Sequence, residues 1–285
     1  MPRSHSSRQR AIPILRMADG QWNAPPFLMA SAGLHVAAVA ALLASPGHWA
    51  LVAGTLVANH AAIATAGMFP RCGWLGPNIT RIPDAAERGD VVALTFDDGP
   101  DSEVTPRVLE LLAQANARAT FFCIGERATR HPELISSISD SGHCVENHSF
   151  SHPNGFALRG RAGMTREIAR AQAAIERAGG GRPVFFRAPA GIQNPLLPAT
   201  LAAAGLSLVS WTRRGFDTVS HDGALVASRL IKTLGAGDIL LMHDGSSARD
   251  RHGRPVVLEA LPRVLDAMER HGLRSETLRA ALAAR

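Results

Sequence analysis

The sequence predicts an α/β fold with a parallel sheet, preceded by a hairpin of two transmembrane helices. First, short apolar runs alternate with helical stretches from Asp90 onward, a pattern typical of parallel strands joined by helical crossovers. Second, no Asp, Glu, Lys or Arg occurs between Gly20 and Pro70. Third, each conspicuous group of polar residues follows the end of a predicted strand, where parallel α/β folds build their sites.

Two apolar runs within residues 26–70 predict the hairpin. Residues 27–44 and 49–69 are each close to the ~20 residues that cross a bilayer as a helix, and residues 45–48 between them are typical of a turn. The alternatives are a secretory signal followed by other structure, or a buried helical hairpin in a soluble protein. A signal peptide would explain one apolar run but not the second.

The charges around the hairpin predict its orientation. Residues 1–25 form a basic tail, in which Arg3, Arg8, Arg10 and Arg16 stand against one acid, Asp19, and such a tail stays in the cytoplasm. Two crossings return the chain to the same side, where residues 71–89 form a linker to the main domain, residues 90–285. We therefore expect a two-pass protein of the bacterial inner membrane with a cytoplasmic main domain. A single crossing would place that domain in the periplasm instead.

Composition excludes some partners. The net charge is +6 and Lys232 is the only lysine, but no basic stripe with interleaved aromatic residues indicates a nucleic-acid partner. Cys72, Cys123 and Cys144 form no CxxC pair, which favours thiols over a disulfide or a cysteine metal site. Nothing in the sequence predicts an oligomeric state.

The main domain is predicted to contain alternating strands and helices. Short runs rich in apolar and β-branched residues predict strands at residues 91–96, 119–124, 143–146, 183–186, 206–211 and 238–242. Longer amphipathic stretches predict helices at residues 105–116, 132–139, 165–178, 195–204, 224–234 and 256–271. This alternation fits either a barrel or an open sheet.

Two adjacent acids, Asp97 and Asp98, follow the first strand and precede the chain break at Gly99-Pro100. Neighbouring residues that leave a strand point in different directions, so one acid could hold a metal while the other handles protons. The alternative is an ordinary turn, because Asp, Gly and Pro are common turn residues.

Two histidines, His148 and His152, follow the third strand at a spacing of four. On a helical turn this spacing places both rings on one face, which is a metal-ligand geometry, whereas the alternative is a pair of surface or capping residues. Further polar groups follow later strands, at residues 187–191, 213–217 and 241–245.

In these motifs the chain resembles the polysaccharide deacetylase family, the NodB-like carbohydrate esterases. The resemblance covers residues 90–271 and rests above all on Thr95-Phe96-Asp97-Asp98-Gly99-Pro100 and His148-Ser149-Phe150-Ser151-His152-Pro153. It implies a distorted (β/α) barrel of about seven parallel strands. The first 70 residues lie outside the resemblance.

The resemblance also implies a role for each conspicuous polar residue. Asp98, His148 and His152 would hold a divalent metal, zinc in the first place, although such a ligand set also accepts cobalt, nickel or iron. Asp97 would be the general base, and Arg187 would pair with it and orient its charged carboxylate.

The remaining roles concern the departing amine and the carbonyl oxygen. His243 would protonate the amine, Asp217 would keep His243 protonated, and a backbone N–H near Ala190 would stabilise charge on the carbonyl oxygen. The chain departs from the family where Ala190 replaces a frequent aromatic residue. It also departs at Asp217, because the family commonly has an acid close to a tryptophan, whereas here the nearest tryptophan is Trp211 upstream. Arg187 as an ordinary strand-end ion pair and Asp217 as an ordinary turn acid are the alternatives.

The function that follows is a membrane-anchored, metal-dependent amide hydrolase that removes an acetyl or similar small acyl group from an amino sugar. A cytoplasmic domain would favour a lipid-linked or nucleotide-linked sugar, and Arg159, Arg161 and Arg166 could meet its phosphates or simply face solvent. The alternatives are an extracytoplasmic deacetylase of a secreted polysaccharide and a catalytically silent scaffold that binds sugars.

Overall fold

The computed structural model describes residues 22–83 and 89–283. Most of the predicted basic tail, including its four arginines, lies outside the described residues, as does the end of the predicted linker. The described chain consists of an N-terminal helical hairpin and an α/β domain that begins at Val91.

The hairpin is built from α1 (Pro26–Ala44), a 3₁₀ turn (Pro46–His48) and α2 (Trp49–Met68). Both helical stretches, Pro26–Ala44 and Pro46–Met68, are long and apolar enough to cross a membrane, and few of their side chains are buried. Asn59 Nδ2 of α2 donates a hydrogen bond to Ser31 Oγ of α1 at 2.8 Å. Exposed apolar side chains along both helices indicate that they need an apolar surrounding.

The sheet of the main domain is parallel and curls into a half-barrel. Its strands are β1 (Val91–Asp97), β2 (Ala119–Cys123), β3 (Cys144–Asn147), β4 (Phe185–Phe186), β5 (Ser207–Leu208), β6 (Arg213–Arg214) and β7 (Ile239–His243). They run in the order β5-β4-β3-β2-β1-β7-β6, and a short β8 (Arg274–Ser275) pairs with the start of β1. The predicted fold class, with seven parallel strands after a helical hairpin, is confirmed.

Helices cover the outer face of this sheet. They are α3 (Val104–Gln114), α4 (Gly125–Arg130), α5 (Pro132–Asp140), α6 (Arg161–Arg177), α7 (Leu197–Ala204), α8 (Gly223–Ile231), α9 (Val257–Arg270) and α10 (Leu278–Leu282). The largest core cluster joins α3, α8 and α9 to β1 and β2 through side chains such as Leu94, Phe96 and Phe121, all fully buried. Burial on both faces explains why β1 is a continuous apolar run.

The structure differs from the predicted elements mainly at short strands. The run at residues 206–211 forms only the two-residue strand β5, and two arginines form β6, which was not predicted. β8, α4 and α10 were also missed. Elements this short, with charged residues in them, carry no apolar periodicity that a sequence pattern could reveal.

The segment between the hairpin and β1 packs on the domain. Ile79 exchanges backbone hydrogen bonds with Leu208 and Ser210 beside β5, and Ile82 N donates to Gly237 O ahead of β7. The end of α2 is held as well, because Gln193 N donates to Gly67 O at 2.9 Å. Ser210 Oγ donates to Pro70 O at 2.7 Å. The hairpin therefore ends next to the loops that follow β4 and β5.

Candidate active site

A pocket of about 280 Å³ lies at the carboxyl ends of the strands, and we name it the catalytic pocket. β1 ends at Asp97, directly opposite His243 at the end of the neighbouring strand β7. The loops after β3, β4 and β6 bring the other predicted residues to the same face. The predicted residues that line the pocket are Asp97, Asp98, His148, His152, Ala190 and His243.

Asp97 forms a buried ion pair with Arg187. Arg187 Nη1 donates to Asp97 Oδ1 at 2.6 Å, and both side chains are almost fully buried. Three further hydrogen bonds, to Thr95 Oγ1, Val209 O and Ser210 O, fix the guanidinium, which also stacks 4.1 Å from the Phe122 ring centroid. Burial lowers the pKa of Arg187, but a guanidinium keeps its charge in proteins. One carboxylate oxygen of Asp97 is thus held in place.

Asp98, His148 and His152 converge on one point. Their ligand atoms all lie within 4.8 Å of one another, and Asp98 Oδ1 is 3.2 Å from His148 Nε2 and 3.3 Å from His152 Nε2. Asp98 Oδ1 is buried without a hydrogen-bond partner. Burial raises the pKa of Asp98, but His148 and the other two imidazoles lower it overall. An orphaned carboxylate oxygen between two imidazole nitrogens fits a divalent cation.

The orientation of His148 suits ligation. Its Nδ1–H donates to Arg187 O at 2.8 Å, so in the neutral imidazole Nε2 carries the lone pair, and Nε2 faces Asp98. A backbone carbonyl behind a ligating imidazole fixes its tautomer in the same way at many metal sites. This carbonyl belongs to Arg187, whose guanidinium also pairs with Asp97. One residue therefore positions both the predicted base and a predicted metal ligand.

His148 and His152 meet without lying on a helical turn. They lie in an irregular loop after β3, in which Ser149 and His152 have positive φ of 62° and 45°. Asn147 Oδ1 accepts a hydrogen bond from Ser149 N, and Ser149 Oγ accepts one from His152 N. These side chains take over the backbone hydrogen bonds that a helix would satisfy internally, and the two rings still meet.

Glu167 is a site residue that sequence reasoning missed. Its buried carboxylate, on α6, accepts hydrogen bonds from Phe150 N, Ser151 N and Ser151 Oγ at 2.9–3.1 Å. It therefore holds the histidine loop from behind. A signal was present, because residue 167 falls on the helix face formed by Met164, Ile168 and Ala171, where a charged residue needs a partner.

His243 and Asp217 form a second buried pair. Asp217 is fully buried, and its carboxylate accepts from His243 N at 2.7 Å and from His243 Nδ1 at 2.9 Å. The other imidazole nitrogen, Nε2, is left for the catalytic pocket. Burial lowers the pKa of His243, but the carboxylates of Asp217, Asp97 and Asp98, with Asp217 contributing most, together raise that pKa above its ordinary value. His243 is thus favoured as a proton donor.

Ala190 and Trp211 form one wall of the catalytic pocket. Ala190 has a positive φ of 55°, at a 3₁₀ turn (Pro189–Gly191) after β4. Gly191 follows with a φ of 73°, and a Cβ there would lie 2.5 Å from the Trp211 ring and 2.9 Å from Pro70. Trp211, which lies between β5 and β6, supplies the aromatic surface that Ala190 lacks.

Asp244 is a second missed residue. Its carboxyl group is fully buried, accepts a hydrogen bond from Thr105 Oγ1 at 2.5 Å, and packs where a Cβ on Gly99 would lie. Burial raises its pKa to about 7. Gly245 next to it leaves room for the backbone of Asp98, since a Cβ there would lie 2.1 Å from Asp98 O. These contacts set the distance between the ends of β1 and β7.

Comparison with known proteins gives concordant results. The model of the family described as polysaccharide deacetylase matches residues 84–209. A peptidoglycan-N-acetylglucosamine deacetylase of Bacillus cereus is 35% identical over 192 residues, which span 66% of each chain. A chitooligosaccharide deacetylase of Sinorhizobium fredii is 34% identical over 197 residues, 67% of this chain and 91% of the relative.

The fold of this chain is also similar to that of a solved structure. The family 4 carbohydrate esterase from Streptomyces lividans, in complex with acetate, superposes with a TM-score of 0.59 at 36% identity. The superposition covers 65% of this chain and 91% of the esterase. The family-model match begins at residue 84, so the helical hairpin lies outside it.

Proposed function

Because the chain belongs to the polysaccharide deacetylase family, we propose that it removes the acetyl group from an N-acetylated amino sugar. It is a hydrolase of carbon–nitrogen bonds other than peptide bonds, and its relatives act on N-acetylglucosamine in peptidoglycan or on chitooligosaccharides. The observation that carries the proposal is the buried Asp97–Arg187 pair beside the Asp98, His148 and His152 cluster. A silent scaffold would have no need of such a costly arrangement of buried charges.

The metal we propose is zinc, held by Asp98 and by Nε2 of His148 and His152, with cobalt, nickel or iron as alternatives. A divalent metal in this site would polarise the amide carbonyl and lower the pKa of a water molecule. Asp98 Oδ1 is buried and has no hydrogen-bond partner among the described residues. It is therefore the oxygen best placed to bind the metal.

The protein's own groups move the protons. Asp97, held through Oδ1 by Arg187, removes a proton from the attacking water with its other oxygen. His243 donates a proton from Nε2 to the amide nitrogen as the carbon–nitrogen bond breaks, while Asp217 stabilises the imidazolium. Ala190 lines the catalytic pocket, and a backbone N–H near it would stabilise charge on the carbonyl oxygen. The amide and one water thus become acetate and a free amine.

The test uses the purified full chain in detergent, loaded with zinc, and fully N-acetylated chitotetraose as the substrate. We expect acetate release by the wild type and its loss in Asp97→Asn and His243→Ala, with zinc content retained in both variants. A zinc-loaded wild type that is no more active than both variants, across several N-acetylated amino sugars, would refute the enzyme proposal.

We also propose that α1 and α2 anchor the chain in the bacterial inner membrane as two crossings, with the catalytic domain in the cytoplasm and its amino sugar carried on a lipid or in a cell-envelope glycan. A periplasm-dependent reporter enzyme fused after Arg285 tests the orientation. An inactive fusion is expected, and an active one places the domain in the periplasm and favours a polymer substrate.

A further inference from the structure

A second cavity, of about 770 Å³, adjoins the catalytic pocket, and we name it the lateral cavity. One side comes from the end of α2 and the residues after it, and the other from the loop around β6. Its main lining side chains are those of Phe69, Arg71, Trp74, Trp211, Arg214 and Phe216. Trp211 and Arg214 line the catalytic pocket as well, so the two spaces share a wall.

The lateral cavity is apolar on the side of the hairpin. Phe69 and Trp74 expose about 60% of their surface, and Met68 at the end of α2 is equally exposed. Exposed large apolar side chains at this density mark a surface that meets lipid or an apolar ligand. Because α2 ends at Met68 and is held against the domain at Gly67, the cavity opens at the domain end of the proposed membrane hairpin.

Two cations face the same cavity without an anion. Arg214 lies between the rings of Trp211 and Phe216, at 5.6 and 5.0 Å from their centroids, and its buried Nε has no hydrogen-bond partner. Arg71 Nη1 donates a long hydrogen bond of 3.4 Å to Thr212 O. Neither arginine forms an ion pair within residues 22–83 and 89–283. Guanidinium groups in this state are suited to bind a phosphate.

We propose that the lateral cavity binds the phosphate and the first part of the apolar chain of a lipid-linked amino sugar. The N-acetyl group of the sugar then enters the catalytic pocket across Trp211 and Arg214. This proposal rests on the deacetylase activity and on the membrane hairpin proposed above. The three arginines that the sequence suggested for phosphates, Arg159, Arg161 and Arg166, line neither cavity.

The experiment varies the phosphate and the apolar chain of the substrate separately. It uses the zinc-loaded full-length protein in detergent micelles. Four N-acetylglucosamine derivatives are compared: a phosphate-linked polyprenyl chain, a phosphate-linked methyl group, a neutral long-chain glycoside and a neutral methyl glycoside. We expect kcat/KM to be highest for the phosphate-linked polyprenyl compound. A phosphate without a chain, or a chain without a phosphate, should each be poorer by about 10- to 100-fold.

Substitutions at Arg71 test whether the phosphate of the substrate binds in the lateral cavity. Arg71→Gln should lower kcat/KM for the two phosphate-linked compounds by about 10- to 100-fold, chiefly through KM, and Arg71→Lys should recover part of the loss. Arg166→Gln, an exposed arginine of α6 outside both cavities, is the matched control.

The outcomes separate this proposal from the deacetylase itself. Equal kcat/KM for the charged and neutral long-chain compounds, or an Arg71→Gln loss that is the same for all four compounds, overturns the phosphate site while leaving a working deacetylase. Absence of acetate from all four compounds and from chitotetraose overturns the deacetylase and this proposal with it.

Discussion

In the catalytic pocket the two residues assigned to proton transfer, Asp97 and His243, each have a charged partner inside the protein, whereas the two arginines of the lateral cavity have no anion among the described residues. Arg187 pairs with Asp97, and His243 with Asp217, both deep in the domain. Arg71 and Arg214 instead line a space bounded by aromatic rings. Paired groups fit chemistry whose geometry must be set before the substrate arrives. Unpaired cations fit a ligand that brings its own charge.

This difference predicts that substitutions lower the reaction rate most strongly in the catalytic pocket. In the catalytic pocket a lost group removes part of a fixed constellation, so rates should fall for all substrates. At the lateral cavity the same loss should change only which substrates are preferred. The following variants test this comparison, beginning with the largest expected effect.

His148→Ala should abolish metal binding, because it removes one of three ligands and exposes Asp98 Oδ1 on one side. We expect kcat to fall by on the order of 10³-fold or more for every substrate. Metal content by mass spectrometry and acetate release are the measurements. His271→Ala, an exposed histidine at the end of α9, is the control. A His148→Ala variant that retains stoichiometric zinc would remove this residue from the ligand set.

Asp97→Asn should lower kcat by about 10²- to 10⁴-fold, since an amide cannot accept the proton from water. Zinc content should stay at the wild-type level. The variant also leaves the Arg187 charge buried without its counterion, so its melting temperature should fall.

Thr95→Val separates these two effects. It removes another hydrogen bond to Arg187 but leaves the carboxylate in place. Its kcat should therefore stay within about tenfold of the wild type even if its melting temperature falls. Equal losses of kcat in Asp97→Asn and Thr95→Val would mean that Asp97 acts only by supporting Arg187.

The sequence was most informative where the chemistry lies at strand ends. Asp97, Asp98, Arg187 and His243 each follow an apolar run, and parallel strands bring such residues to one face whatever the helices do. The order of the motifs therefore predicted the site, and the family's match and relatives confirmed the fold and the reaction class.

The lateral cavity could not be predicted in this way. Phe69 and Arg71 meet Trp211 and Arg214 only because the end of α2 docks on the loops after β4 and β5. That contact is made by backbone hydrogen bonds such as Gln193 N to Gly67 O, between residues far apart in the sequence, and backbone hydrogen bonds are not visible in a pattern of side chains. Glu167 was missed for a related reason, since its partners are backbone N–H groups.

Asp217→Asn should have an intermediate effect with a distinct pH signature. Asp217 raises the pKa of His243, so an amide in its place should lower that pKa. Because His243 must be protonated to donate, the alkaline limb of the pH profile of kcat/KM should move to lower pH. We expect a loss of about 10- to 100-fold at pH 8 and a smaller loss at pH 6. An alkaline limb that stays in place would mean that another group titrates there.

Gly67→Ala should have the smallest effect, and it acts on the lateral cavity alone. A Cβ at Gly67 would lie 2.3 Å from Gln193 O, so the end of α2 must move away from the domain. Gly54→Ala is the matched control, because a Cβ at Gly54 in the same helix meets nothing within 4 Å. We expect the ratio of kcat/KM for the phosphate-linked polyprenyl compound to that for chitotetraose to fall about two- to tenfold in Gly67→Ala only. If both variants keep the wild-type ratio, the docking of α2 does not shape the lateral cavity, and substrate preference is set within the α/β domain.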